Sequence, residues 1–595
     1  MSEKKYRLNI QDRYFSDAQG NTYFREPLKD ASGYTDIPFM NFCPQLVQLL
    51  RRDDGFTITE KILFSAFRGG QNEPPVELEK RDMIGNQPHV KFSPGCRVFQ
   101  GKGNCAKCGE MMGMQCEDAE TKTVYTHTGW KIIDGQRVFL NGENSVTAGG
   151  LTDHYSVELA PDLSRCYRFT PCGDSTDECF KTLLERMPKA APDWLIIPSL
   201  AYCFMSPLNG MLRELGAEPS FSFYLIGKTG SFKSSWSKVL LSFFGRLGYA
   251  ETAPCTFLDT QNAVGRKLAL AADVPLLLDD RRPTSNAADK LRYEGLEKFA
   301  SSAIGDRAAR GRANVDGGLR ESYVARSNLI VTAEEAFLNI GSSAVARSVS
   351  VELQPDSVIL EGLQELQARP EHLNKIMQLF IQWLIERWDD LRACVLDKLA
   401  EYRAIFADAG HPRLATAFSQ LMFGYAMYLA FLQDHGQIDK LEAVTMRTRA
   451  QAVFLEMCER QTEKVEGEKP TRLFVELLRE LLETKQARLC DARPRTVAGI
   501  TTENDISMPN TIGYEDDDFL YLIPRTAYSA VTAFYAKSGY TFPASPSALW
   551  KMFMDEGAIK PDGKRPDRRH TFKGKSGRYI HLYRHALMEG ESNEQ

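Results

Sequence analysis

The chain has 595 residues, a net charge of -5, and 43% hydrophobic against 25% charged residues, the make-up of an ordinary globular protein of about three or four domains. That balance excludes a low-complexity or fibrous chain, and the weakly negative total confines any nucleic-acid binding to local patches. No apolar run of about 18 residues stands out and MSEKKYRLNI carries no apolar signal core, so no membrane partner and no export are expected, and a cytoplasmic location is.

Thirteen scattered cysteines fit reduced thiols, with any cluster a metal candidate before a disulfide. The predicted N-terminal α+β domain, residues 1–190, holds one such cluster: Cys96, Cys105, Cys108 and Cys116, spaced C-x8-C-x2-C-x7-C. Cys105-x-x-Cys108-Gly reads as a knuckle, and four thiolates would hold a structural Zn²⁺; free buried thiols are the alternative, and His89 and His127 are substitute ligands. Cys166, Cys172 and Cys179 are irregularly spaced and read as core or loop thiols.

Residues 191–360 carry the strongest signal. The apolar run Phe221 to Ile226 leads into Gly227, Lys228, Thr229, Gly230, Ser231, Phe232, Lys233, Ser234 and Ser235, followed by Trp236, Val239, Leu240 and Phe243 at helical spacing. Strand, loop and helix in that order make a phosphate-binding loop. Backbone N–H groups curl around phosphate oxygens, Lys233 reaches the β- and γ-phosphates of ATP, and the Ser234 hydroxyl holds Mg²⁺. Phe232 stands where Gly is usual before the Lys, and its bulk calls for a negative φ.

After a helical stretch near 261–272, VPLLLDD ends a strand on Asp279, read as a holder of the Mg²⁺ shell, and Asp280, read as the carboxylate polarising the attacking water. RSNLIVTAEE ends a further strand on Thr332, placed to orient that water, and VSVEL follows. The alternation predicts an α/β fold with a three-layer parallel-sheet core.

Residues 361–490 read as a helical lid and connector, and 491–518 as a linker rich in Pro, Thr and Asp. Residues 519–595 read as a winged helix: helices over 524–538 and 545–556, then a Gly-punctuated β-pair. From Lys551 to Gly590 there are ten Lys or Arg against five Asp or Glu. Lys564, Arg565, Arg568, Arg569, Lys573 and Lys575 would contact duplex phosphates, unless the hairpin is a solvated or protein-docking one.

GKTGSFKSS, LLLDD, NLIVTAEE and AVARS, in that order between Pro192 and Leu432, resemble the P-loop AAA+ ATPases, more narrowly the MCM-like self-loading replicative helicases of bacterial mobile elements, plasmids and phages. Tyr125 to Leu140 also resembles the domain of unknown function that precedes the ATPase in such proteins. Phe232 and Asp280 depart from the usual pattern, which bears on hydrolysis more than on nucleotide binding. The resemblance implies a hexameric ring, ATP between subunits, Arg347 as a finger reaching into the neighbour's site, and Arg413 as a second sensor of the γ-phosphate. It also implies channel loops in which Arg307, Arg310 and Arg312 touch single-stranded DNA, with a solvated or subunit-interface loop as the alternative. The function implied is an ATP-dependent DNA helicase in replication of a mobile genetic element. Its rivals are a nucleotide-gated remodeller of a protein partner, in phage defence or DNA transfer, and a non-hydrolysing DNA-binding adaptor.

Overall fold

A computed structural model gives the fold and describes residues 9–10, 13–29, 33–84, 88–247, 252–307, 312–313, 319–320, 323–335, 342–467, 469–493, 495–497, 500–502, 509–537, 542–572 and 575–588. The N-terminal region is built on an 11-residue hairpin pair, Cys43–Asp53 with Ile58–Arg68. Thr121–Tyr125 adds to this hairpin in parallel. The helix Asn104–Cys116 packs Cys108, Met111 and Met112 into an apolar cluster with Phe39, Phe42 and Phe64.

A second antiparallel sheet, Gly129–Ile133, Gln136–Leu140, Ser145–Thr147 and Gly150–Thr152, is tied both to the hairpin, where Lys131 pairs with Asp53 at 2.7 Å, and to the central domain. Trp130 donates its Nε1–H to the Pro207 carbonyl at 2.6 Å and its backbone N–H to Asp273 Oδ2 at 3.0 Å. Tyr167 reaches the Pro275 carbonyl at 2.7 Å. Phe139 to Ala191 therefore share one apolar core with the central strands, and the domain edge expected at 190 falls inside that core.

The central sheet has five strands, all parallel, in the spatial order Cys255–Thr256, Pro275–Arg281, Asn328–Ala333, Ser222–Ile226, Ser348–Glu352. These are continuous apolar runs because both faces are covered by helices. The helix Lys233–Leu241 follows the first strand and buries Trp236, whose Nε1–H donates to Ser199 Oγ at 3.0 Å.

Two helical stretches, Asp193–Glu214 and Pro412–Asp434, are long and apolar enough to cross a membrane by length and composition, a feature the sequence reading missed. Their apolar windows are 100% and 83% buried within the protein, as befits core helices.

The lid helices run from Leu360–Gln367 to Lys440–Gly467. Pro470–Glu483, assigned from sequence to the lid, instead buries Phe474, Leu478 and Leu481 in a separate C-terminal core. The expected linker also departs from the sequence reading. Thr511–Glu515 lies within it and is a strand of the C-terminal sheet, ordered Arg488–Asp491, Thr511–Glu515, Phe519–Leu522, Lys575–Tyr583, Asp567–Phe572. The expected helices appear as Pro524–Lys537 and Pro546–Asp555, the latter capped by Ser545.

Candidate nucleotide site

The phosphate-loop residues sit at the C-terminal edge of the parallel sheet, where strand tips and helix N-termini converge. Gly227 has a steric reason: a Cβ there would lie 2.4 Å from the Leu353 carbonyl oxygen. Gly230 has φ 89°, a left-handed backbone that favours glycine.

Phe232 corrects the sequence reading, because its φ is +58° rather than negative. The left-handed conformation costs about 1–2 kcal/mol for an L-residue. The half-buried ring offsets this by packing against the main apolar core.

Ser231 is fully buried and donates to the Lys228 carbonyl at 2.9 Å, which fixes the loop's turn. Lys233 Nζ donates to the same carbonyl at 2.9 Å and to Ser231 Oγ at 3.4 Å. Burial pulls the Lys233 pKa below its usual value, while Glu334, Asp279 and Asp280 act in the opposite direction.

The acidic strand faces this loop directly. Ser234 Oγ donates to Asp279 Oδ1 at 2.7 Å, so the hydroxyl and carboxylate expected to share a Mg²⁺ are in contact. Two adjacent hard oxygen donors fit such an ion. Thr332, 1% exposed, donates to the same Asp279 oxygen and accepts the Asp280 backbone N–H at 2.9 Å. Asp280 stands with φ 73° and its carboxylate takes the Arg282 Nε–H at 2.6 Å. The loop, Asp280 and Thr332 line a cavity of about 430 Å³, as does Ser235.

Glu334 and Arg282 also line this cavity, and sequence reasoning missed both. Thr229 Oγ1 donates to Glu334 Oε1 at 2.5 Å. The first Glu of TAEE was the available signal, since Glu334 comes one residue past the tip of Asn328–Ala333, beside the loop.

Arg347 and Arg413 lie apart from this cavity. The Arg347 carbonyl accepts the Ser222 N–H, placing it at the opposite end of the strand from Gly227, and its guanidinium pairs with Asp306 at 2.6 Å. Arg413 is exposed at the start of Pro412–Asp434.

The reading of Arg307 as a DNA contact is corrected. Its guanidinium points inward, donating to the Ala325 carbonyl at 2.8 Å and to that of Pro219, and pairing with Glu218 at 3.4 Å. Arg310 lies outside the described residues, as does Lys573. Arg312 begins a short antiparallel pair in which it stands opposite Arg320.

In the C-terminal hairpin, Lys564 and Arg565 are exposed at a turn, and Lys575 opens the last strand opposite Phe572. Arg568 and Arg569 alternate along a strand and so face opposite sides of the sheet. Arg568 shares the face of His570 and Phe572, whereas Arg569 is exposed.

The expected zinc knuckle is likewise corrected. A knuckle needs a turn at Cys105-x-x-Cys108, but Asn104–Cys116 is one continuous helix. Cys108 is buried against Met112 Sδ at 4.0 Å, and burial pushes its thiol up to about 12. Cys116 donates to the Met112 carbonyl at 3.3 Å, and Cys96 to Glu73 Oε2 at 3.5 Å. Among the described residues these four thiols form no metal cluster.

Compared with known proteins, the chain matches no family model and no curated protein. One solved structure is alike from end to end: "SCCmec type IV Cch - active helicase", with TM-score 0.61 over 97% of this chain and 99% of that one, at 13% sequence identity. The two share a fold. A JCV helicase with a bound small molecule covers 47% of this chain and 72% of its own, at 12% identity and TM-score 0.21, too low to carry any argument.

Proposed function

We propose that the chain is an ATP-dependent DNA helicase or translocase of the MCM-like AAA+ kind, acting in the cytoplasm in replication of a mobile genetic element. The observation that carries this reading is the contact chain Ser234, Asp279, Thr332 and Asp280 at the mouth of the glycine loop. The strand order, with the loop-bearing strand second from one edge, supports the AAA+ assignment. The full-length fold shared with an active helicase supports the work assigned to it.

In this reading Lys233 turns from the Lys228 carbonyl to the β- and γ-phosphates when ATP enters. Ser234 and Asp279 would hold Mg²⁺, which neutralises phosphate charge when bound. Asp280 orients the attacking water and takes its proton, and Thr332 fixes the backbone from which that carboxylate hangs. Arg347 would serve a neighbouring site in a hexameric ring only after leaving Asp306, and Arg413 would sense the γ-phosphate through lid movement. Arg312 and the exposed C-terminal Lys564, Arg565 and Arg569 supply the DNA contacts.

The test is strand displacement on a forked duplex with ATP and Mg²⁺. Wild-type chain should unwind it, and Lys233→Ala should abolish both turnover and unwinding. Hydrolysis without unwinding would support a remodeller of a protein partner, and binding to DNA with no Mg²⁺-dependent turnover would support an adaptor.

A further inference from the structure

Cys172, Cys179 and His372 bring their ligand atoms within 4.8 Å of one another, the grouping of this kind found among the described residues. Cys172 is half-buried, and Cys179 and His372 are buried. The two sulfurs are 3.9 Å apart. A disulfide needs about 2.05 Å. Two thiolates at about 2.3 Å from one tetrahedral zinc lie about 3.8 Å apart by geometry, so the spacing is that of a shared metal.

Asp174, bonded to the same histidine, is the nearest carboxylate that could complete four ligands. His372 Nε2 is 2.6 Å from Asp174 Oδ2, and its other nitrogen, Nδ1, is 2.8 Å from Thr182 Oγ1. Asp174 lies two residues past Cys172 and is exposed, free to turn from the imidazole to a metal. With Nε2 ligating, Nδ1–H donates to Thr182 and sets the tautomer, the usual support for a metal-bound histidine.

We propose that Cys172, Cys179, His372 and Asp174 bind one Zn²⁺. Two soft thiolates with an imidazole and a carboxylate select zinc over the hard cations of the nucleotide cavity. The site joins two distant parts of the chain. Cys172, Asp174 and Cys179 lie on the segment leading to the central domain, whereas His372 belongs to the lid helix Pro370–Glu386. The seam is already aligned, since Asn374 accepts the Thr170 N–H at 3.0 Å and Gln378 donates to the Thr170 carbonyl at 2.9 Å. The ion fastens the base of the lid across a long loop, where a clip gains most. With four protein ligands it is a structural ion with no open position for chemistry.

Full-length protein purified without chelator should carry about one zinc per chain by elemental analysis. Cys179→Ser and His372→Ala should lose it, while Cys105→Ser and Cys108→Ser keep it. Because the first two variants risk misfolding, the wild-type chain supplies a second reading. Chelator treatment should expose Cys172 and Cys179 to alkylation, read by peptide mass spectrometry, and added Co²⁺ should give the visible absorption of a tetrahedral thiolate site. Absence of zinc together with no uptake of Zn²⁺ or Co²⁺ would overturn the proposal. So would a Cys172–Cys179 disulfide in freshly prepared protein, or full metal content in Cys172→Ser/Cys179→Ser.

Discussion

Thr332→Val is the sharpest probe of the nucleotide site, because valine keeps the shape of threonine and removes only the hydroxyl. That hydroxyl donates to the Asp279 carboxylate and accepts the Asp280 N–H, so the variant loses one hydrogen bond to a charged group and one backbone bond. The first is worth about 1.5–3 kcal/mol and the second about 1 kcal/mol, a combined loss of roughly 2.5–4 kcal/mol. Asp280 stands in the left-handed region at φ 73°, which itself costs about 1–2 kcal/mol, and it relaxes once Thr332 lets go. If the geometry of Asp280 matters at the transition state, a loss of 2 kcal/mol or more slows hydrolysis by about 30-fold or more. Nucleotide affinity should change by less than about threefold, since Lys233 hydrogen-bonds to Lys228 and Ser231 and not to Thr332 among the described residues. The assay is single-turnover ATP hydrolysis beside titration with a fluorescent nucleotide, with Thr332→Ser as the variant that keeps the hydroxyl. Wild-type turnover in Thr332→Val, or an equal loss in Thr332→Ser, would refute the reasoning.

Arg307→Met should lower stability by about 3–5 kcal/mol, read as a drop in melting temperature, because it breaks a buried guanidinium network. The same variant should leave the salt dependence of DNA binding unchanged, whereas Arg569→Gln should reduce the slope of log K against log salt by about 1. The His127 imidazole, buried and donating its Nδ1–H to the Thr128 carbonyl, is held down at about 4, chiefly by burial and then by Arg326. Above about pH 6.5 it is neutral in both the folded and unfolded chain. Between 6.5 and about 4 the unfolded chain takes the proton and the folded one does not, so stability falls by at most about 3 kcal/mol. His127→Leu should flatten that part of a melting-temperature profile, and an unchanged profile would count against it.

The central strands and the strand–loop–helix layout around Gly227 were legible because short apolar runs bounded by Gly, Lys-Ser and Asp-Asp constrain their own surroundings. Signals of this kind are local. What sequence could not supply was the partner of each side chain. Arg307 reads as a cation in a Gly-Arg-rich loop, yet Glu218 and two carbonyls lie in wait for it far away in the chain. Cys105-x-x-Cys108 reads as a turn, but the same spacing fits one turn of a helix, and the apolar Met111 and Met112 beside it drive the helix to bury that face. Conversely, Cys172 and Cys179 had no spacing signature because their third partner, His372, is nearly two hundred residues on.

The boundaries failed for a related reason. Composition marks where polar residues accumulate, but a domain ends where apolar faces cease to meet. Phe139 and Val146 lie on short strands that look like part of the N-terminal region, and they bury against the same core as Leu277 and Val331. The stretch containing Thr511–Glu515 looks like a tether because of its Pro, Thr and Asp, yet Ile512 is buried in the main C-terminal core and Tyr514 in a smaller cluster with Phe572 and Tyr579. The Tyr125–Leu140 region is therefore joined to the central domain through Trp130, which bonds Asp273 and the Pro207 carbonyl. Asp273 stands two residues before the carboxylate strand Pro275–Arg281, and Pro275, which opens that strand, accepts the Tyr167 hydroxyl.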